Sequence, residues 1–183
     1  MRTGTSLAAA LALVAAAPRA RAVETRADVE TDHIDAADDG GPRAAGVLLR
    51  PYVMALGQLG AEVDVALGES AAVTLEGDWL PAPDARAYGA ALGVALFPQR
   101  FSFHGVYVHP RFEWASAAST GGASAQVAGA AATVGYEWTW PVGATVRLGG
   151  GASYARAVGS DGPVAAASEG LRPRVDAAVG WVF

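Results

Sequence analysis

From residue 46 to the C-terminus, apolar and polar residues alternate along segments of about ten residues, which are separated by clusters rich in Gly, Pro, Asp and Ser. Strict alternation with a period of two predicts β-strands whose two faces lie in different environments. We therefore predict an all-β protein with eight strands, at residues 46–57, 60–67, 71–80, 87–97, 103–115, 126–140, 144–156 and 170–183.

The fifth predicted strand, within FHGVYVHPRFEW, shows how different the two faces are. One face carries Val106, Phe112 and Trp114, and the other carries Arg111 and Glu113. In a water-soluble sandwich or lipocalin, the charged face would lie outside and the apolar face inside. In a membrane-spanning barrel the arrangement would be reversed. The alternation alone leaves both arrangements open.

The last strand runs to the end of the chain as VDAAVGWVF, with Val175, Val179, Trp181 and Phe183 on one face. Chain termini normally fray in water, so a terminal strand with an apolar face must be paired and covered. We expect its edge to pair with the first strand, because closure of the sheet removes the exposed edge.

The first 22 residues have the parts of a secretory signal peptide. Arg2 supplies the positive start, residues 7–17 are apolar, and Ala20-Arg21-Ala22 offers a cleavage site. The apolar stretch is too short to cross a bilayer as a helix. We predict an exported protein cleaved after residue 22, with Ala17 as an alternative site.

Residues 23–43 carry seven acidic residues and two Arg, with almost no large apolar residues. This composition predicts a disordered acidic leader before a barrel at residues 44–183. Asp32, His33 and Asp35 are interpreted as part of that leader rather than as metal ligands.

The composition excludes several functions. A net charge of −5 does not suit a nucleic-acid-binding protein, and the absence of Cys excludes disulfides, zinc–thiolate sites and thiol nucleophiles. We predict no cofactor and no metal. After the signal peptide no apolar run is long enough for a membrane helix, so a membrane location would require strands.

The predicted connections differ in length. Those after strands two, four and six are short (LGES, PQRFS and WPVG), and those after strands three, five and seven are longer (PAPDARA, ASAASTGGASAQ and VGSDGPVAAASE). Short turns at one end and long loops at the other are typical of outer-membrane barrels. The first connection, near Gln58, is an exception because it is also short.

The aromatic residues on the apolar faces fall into two groups by strand end. With both termini in the periplasm, the outer group is Trp79, Tyr88, Trp114 and Tyr154, and the periplasmic group is Trp138, Trp140, Trp181 and Phe183. Two aromatic girdles around an aliphatic band are typical of barrels in a bilayer.

Two segments resemble known outer-membrane proteins. The alternating Val179, Trp181 and Phe183 resemble the C-terminal signal that the outer-membrane assembly machinery reads. The stretch GVALFPQRFSFHGVYVHPRFEW is similar to the central hairpin of a family of small outer-membrane barrels of unknown function, itself similar to the OmpA/OmpX-type eight-stranded barrels. The resemblance covers residues 44–183. It implies a closed, antiparallel, up-and-down transmembrane barrel in the outer membrane of a Gram-negative bacterium, a monomer in contact with lipid and with the assembly machinery.

The inward positions of such a barrel collect charged residues of both signs. The basic ones are Arg50, Arg111, Arg147, Arg172 and Arg174, and the acidic ones are Glu62, Asp64, Glu76, Glu113, Glu137 and Asp176. Eight strands leave a lumen just wide enough for side chains, and buried charges need partners. We therefore expect an internal ion-pair network; the alternative is a narrow channel for small polar solutes.

An enzymatic role finds little support in the sequence. His109 and Glu113 share a face, which would suit a lipid-modifying barrel enzyme, but they point inward, and Ser102 and Ser153 follow no recognisable motif. The outer connections, rich in Ala, Ser and Gly, show no aromatic anchors for a specific partner. The sequence predicts a non-enzymatic outer-membrane barrel with a structural or loop-mediated role. A soluble, lipocalin-like periplasmic barrel is a third reading.

Overall fold

The computed structural model describes residues 43–51, 54, 57–83, 85–100, 102–122, 124–158 and 169–183. The strands in these ranges are β1 (Ala45–Leu49), β2 (Leu59–Ala66), β3 (Ala71–Pro81), β4 (Ala85–Leu96), β5 (Gly105–Ser119), β6 (Ser124–Thr139), β7 (Ala144–Ala157) and β8 (Gly170–Val182). The predicted signal peptide lies outside the described residues, as does the acidic leader up to residue 42. Within the described ranges, no helix is both long enough and apolar enough to cross a membrane.

Each strand pairs antiparallel with its neighbours in chain order, and β8 pairs with β1. The predicted closed, eight-stranded, antiparallel up-and-down barrel is confirmed. We call the end that holds Ala45, Val182 and the connections 67–70, 97–104 and 140–143 the terminal end, and the opposite end the loop end.

The register of the strands sets the width of the barrel. Successive Cα partners lead from Trp181 through Val47 on β1 and then once around the sheet to Tyr154, whose partner on β8 is Leu171. The path returns to β8 ten residues from its start, which corresponds to a strand tilt of roughly 40°. A barrel of eight strands at this tilt has an interior that side chains fill.

The first strand is shorter than predicted. The alternation suggested residues 46–57, but β1 ends at Leu49. Pro51 has no amide hydrogen to donate to a sheet, and the Met54 amide donates to the Arg50 carbonyl at 3.3 Å, which bends the chain away from the strand direction. Tyr52 and Val53, also predicted in this strand, lie outside the described residues. As a result, β8 pairs with β1 only over Val179–Val182.

The predicted difference in connection length between the two ends holds only in part. Residues 67–70 and 140–143 at the terminal end are short and residues 158–169 at the loop end form the longest connection, as predicted. Residues 82–84 and 120–123 at the loop end are shorter than predicted, and the connection 97–104 at the terminal end is longer. The strands continue into the stretches that were taken for loops, because their Ala and Ser residues pair as well as any others. Alternation fades there because both faces carry small residues such as Ala and Ser, so the sequence carries no sign of the strand.

Close approach of neighbouring strands depends on glycine at inward positions of β7. A Cβ atom added to Gly151 would lie 2.7 Å from Thr133 Cα and would also collide with the Ala132 carbonyl oxygen, both backbone atoms of β6. The adjacent Gly150 faces outward, and a Cβ there would meet only the Arg174 carbonyl oxygen at 3.8 Å. These two glycines therefore differ in the space that they leave for a methyl group.

We predict that Gly151→Ala lowers the free energy of unfolding by about 1–3 kcal/mol, because the sheet backbone has to shift to admit the methyl group. Gly150→Ala is the matched control and should change it by less than about 0.5 kcal/mol. Urea titration of the refolded barrel measures both. Equal effects of the two substitutions would contradict the register of β6 and β7.

Candidate functional site in the barrel lumen

Polarity in this barrel is inverted relative to a water-soluble protein. Large apolar side chains on the strands are exposed on the outer wall, for example Leu92 and Phe112. The charged side chains that are buried instead are Arg50, Glu62, Asp64, Glu76, Arg111, Glu137, Arg147 and Asp176. Of the other predicted lumen residues, Glu113 and Arg174 are half-buried, and Arg172 is exposed at the loop end. Because successive residues of a strand point to opposite faces, one parity on each strand accounts for this distribution.

One group of buried charges surrounds Arg147 and is called the Arg147 cluster below. Arg147 Nε donates to Glu137 Oε2 at 2.9 Å, Nη2 donates to Asp64 Oδ2 at 2.6 Å, and Nη1 donates to Glu62 Oε1. All four side chains are fully buried. One guanidinium thus joins carboxyl groups from β2 and β6 across the lumen, with three acids around a single base.

A second group, called the Glu76 cluster, lies nearer the loop end. Glu76 accepts from Arg50 Nη1 at 2.6 Å and from Arg111 Nη1 at 2.5 Å, so both of its oxygens bind arginine. Arg50 also bonds Asp78 at 3.1 Å, and Arg174 bonds Glu113 at 2.5 Å. Three bases face three acids here, which makes this group balanced in charge.

Asp176 lies between the two clusters. Its Oδ2 accepts from Tyr107 Oη at 2.9 Å and from Thr133 Oγ1 at 3.0 Å, and it lies 3.8 Å from Arg111 Nη1. The Tyr107 ring in turn lies under the guanidinium of Arg147, 5.4 Å from its central carbon. Asp176 and Tyr107 therefore connect the two charged groups into one polar network.

Asp78, Tyr107, Thr74 and Thr133 were missed as members of the network. The signal that could have found them is parity: each occupies an inward position of its strand, as Glu76 and Arg111 do. Tyr107, Thr74 and Thr133 were missed because the predicted network consisted of charged residues alone. Asp78 was missed although it lies on the same face of its strand as Glu76. With Asp78 added, seven acids face the lumen, against the six predicted.

The side chains around Arg147 are closed off from solvent. Arg147, Glu62, Tyr107 and His109 have no exposed surface. Toward the loop end, a cavity of about 150 Å³ opens above the Glu76 cluster, with Asp78 in its wall. The cavity is lined by small and apolar residues together with charged side chains of the Glu76 cluster.

His109 has the partners of a structural residue. Its Nδ1 lies 3.3 Å from Arg111 Nη1, and its Nε2 forms a hydrogen bond with Thr74 Oγ1 at 2.7 Å. His109, Glu62 and Glu76 place one ligand atom each within 4.8 Å, but both Glu76 oxygens are engaged by arginine. We therefore propose neither a metal site nor a nucleophile–base pair at His109.

The aromatic residues of both predicted girdles lie on the outer wall. Each is between 40% and 56% exposed; they are Trp79, Tyr88, Trp114 and Tyr154 toward the loop end and Trp138, Trp140, Trp181 and Phe183 toward the terminal end. The surface between them is aliphatic or aromatic, and includes exposed Leu75, Leu92, Phe112, Val134 and Leu148. The outer wall therefore carries an apolar belt bounded by rings.

The C-terminal residue is held at the β1–β8 seam by its backbone. The Phe183 amide donates to the Ala45 carbonyl at 2.9 Å, and the Phe183 carbonyl accepts from the amides of Ala44 and Ala45 at 2.8 and 3.0 Å. Val179, Trp181 and the Phe183 side chain, the residues of the resembled assembly signal, all face outward. These contacts close the barrel up to the last residue.

We predict that Arg147→Met destabilises the folded barrel by about 3–5 kcal/mol, because it leaves three buried carboxyl groups without their shared cation. Arg172→Met, at an exposed position of the loop end, should cost less than about 1 kcal/mol. Chemical denaturation of the refolded variants provides the comparison. A loss below about 1 kcal/mol for Arg147→Met would mean that water reaches the cluster.

Comparisons of this chain with protein-family models, with curated proteins and with solved structures found no match. The resemblance to the OmpA/OmpX-type barrels stays a prediction.

Proposed function

We propose that this protein is an integral outer-membrane β-barrel whose lumen is closed by ion pairs, and that its role is structural or is carried by the segments at its loop end. The proposal has three parts: a location in a lipid bilayer, assembly through the C-terminal strand, and a closed lumen. Each part is supported by a different set of residues.

The inverted polarity of the wall is the observation that carries the proposal. A closed barrel satisfies its backbone hydrogen bonds internally, so its strands can enter hydrocarbon. In water, a continuous belt of exposed Leu, Val, Phe and Trp would be an aggregation hazard, whereas lipid chains cover it without cost. Buried arginines and carboxylates inside the same wall complete the pattern of an outer-membrane barrel.

The aromatic rings at the two margins of the belt suit the two bilayer interfaces. Trp and Tyr combine an apolar body with a polar tip and prefer the level of the lipid headgroups. Trp79 pairs with Tyr88 at one margin, and at the other the rings of Tyr136 and Trp138 lie 4.7 Å apart. The belt between these margins would be the surface in contact with outer-membrane lipid.

The β1–β8 seam supports assembly through the last strand. Its ladder covers only four residues of β8, which makes it the shortest ladder between two neighbouring strands of the barrel. An assembly factor that reads a terminal strand by strand addition would bind this edge before closure. The outward-facing Val179, Trp181 and Phe183 would be recognised in that state. The mature barrel is proposed to be a monomer.

Beyond the outer girdle, β5 and β6 continue as a paired hairpin. Trp114 is followed by five more residues of β5, and the hairpin turns at residues 120–123. This part is rich in Ala, Ser and Gly and carries no large apolar side chain between residues 115 and 126. It is the segment through which a loop-mediated role would be exerted.

The membrane location predicts where the protein is found and how it migrates. Mature protein beginning at Val23 should fractionate with the outer membrane, and unboiled samples should migrate faster on gels than boiled ones. Ala132→Arg, at an exposed position inside the belt, should reduce folding into lipid by about 2–4 kcal/mol.

Ala118→Arg is the matched control, because Ala118 is exposed on β5 beyond the outer girdle. It should leave fractionation and gel migration unchanged. Recovery of the wild-type protein in the soluble periplasmic fraction would contradict the membrane location, and equal tolerance of both arginines would contradict the placement of the belt.

A closed lumen predicts that the refolded wild-type barrel is silent in planar-bilayer recordings. All four side chains of the Arg147 cluster are fully buried, so an ion that crossed the barrel would have to displace a guanidinium held by three carboxyl groups. Stable, ion-selective single-channel steps, altered in Arg111→Leu, would instead make the protein a channel for small polar solutes.

A further inference from the structure

Glu62 and Asp64 lie side by side on the inward face of β2. Each binds a terminal nitrogen of the same guanidinium: Arg147 Nη1 donates to Glu62 Oε1, and Nη2 donates to Asp64 Oδ2 at 2.6 Å. The two terminal nitrogens of a planar guanidinium are adjacent, so the two carboxyl groups lie next to each other.

The second oxygen of each carboxyl group has no donor. Glu62 Oε2 and Asp64 Oδ1 are buried and accept no hydrogen bond from any described residue, and both side chains are fully buried. An ionised carboxylate has only acceptor oxygens, so two of them in contact cannot hydrogen-bond to each other. A hydrogen bond between these groups requires one proton.

The charges that face the pair do not remove this requirement. The single base that contacts the pair, Arg147 on β7, is shared with Glu137 on β6. The other titratable groups that face the pair are Asp176 on β8, His109 on β5 and Glu76 on β3. Glu76 is itself bound by Arg50 and by Arg111, so these two arginines are engaged away from the pair, and His109 is the remaining basic side chain near Glu62.

We propose that Glu62 and Asp64 share one proton in the folded barrel at neutral pH. The proton comes from solvent when the chain folds, and it bridges Glu62 Oε2 and Asp64 Oδ1 as a carboxylic acid–carboxylate hydrogen bond. The pair then carries one negative charge instead of two next to Arg147, as in other buried carboxyl pairs that cannot both ionise. This site depends on the geometry of the lumen alone and is independent of the proposed membrane location.

The proposal predicts a proton-linked stability that one substitution removes. In the unfolded chain both carboxyl groups are ionised above about pH 5, so unfolding releases the shared proton. In Glu62→Gln the amide can accept from Arg147 and donate to Asp64, which replaces the proton by a permanent N–H donor. The ratio of the unfolding constants, wild type over Glu62→Gln, should therefore rise by about tenfold per pH unit from about pH 5.5 until the pair loses its proton.

Glu113→Gln is the control, because Glu113 belongs to the Glu76 cluster and does not touch the pair. Its ratio to the wild type should stay constant over the same pH range, whatever its absolute stability. Infrared difference spectra at pH 7 give a second readout, since the wild type should show the carbonyl band of a protonated carboxyl group that Glu62→Gln lacks.

A ratio that does not change with pH, or identical infrared spectra, would overturn the proposal. A ratio that follows the concentration of sodium or calcium ions instead of pH would assign a metal cation to the place of the proton and would also overturn it. If Glu62→Gln does not refold, Asp64→Asn replaces the same proton from the other side of the pair and provides the same comparison.

Discussion

Arg147 uses all three of its nitrogens to hold acids that come from other strands. Its bonds to Glu62 and Asp64 on β2 and to Glu137 on β6 connect distant parts of the wall through the middle of the barrel. A buried guanidinium or carboxylate without a partner is strongly destabilising, so the three acids and the base depend on one another. The closed lumen, the excess of acid around one base and the proton proposed for Glu62 and Asp64 all follow from this arrangement.

Large interior side chains require small ones opposite them. Tyr107 reaches Asp176 only because two neighbouring inward positions are glycine: a Cβ atom at Gly135 or at Gly149 would collide with the Tyr107 hydroxyl. Gly93 similarly leaves room for His109, since a Cβ there would lie 2.7 Å from the His109 ring. In a barrel this narrow, the polar network and the glycines form one packing solution.

The most informative prediction from the sequence was which residues of each strand share a face. On every strand the structure places the predicted apolar face outside and the predicted charged face inside, because a closed sheet leaves no third environment. The errors lie where that contrast disappears. Residues 116–119 and 124–125 were taken for a loop because both of their faces carry only Ala and Ser. The first strand was extended past Leu49 because alternation does not report the turn at Pro51.

The sequence by itself determined the number of strands and which residues of each strand share a face, because alternation is a local property of the chain. The closed barrel of the tertiary structure places the charged faces inside. Only the tertiary structure decided which charges pair. Glu62 and Arg147 are separated by 85 positions in the chain, and Arg111 and Glu76 by 35. These partners meet because the strands are staggered by ten residues where the barrel closes. The alternation along each strand would be the same for any other register that keeps the same face inside.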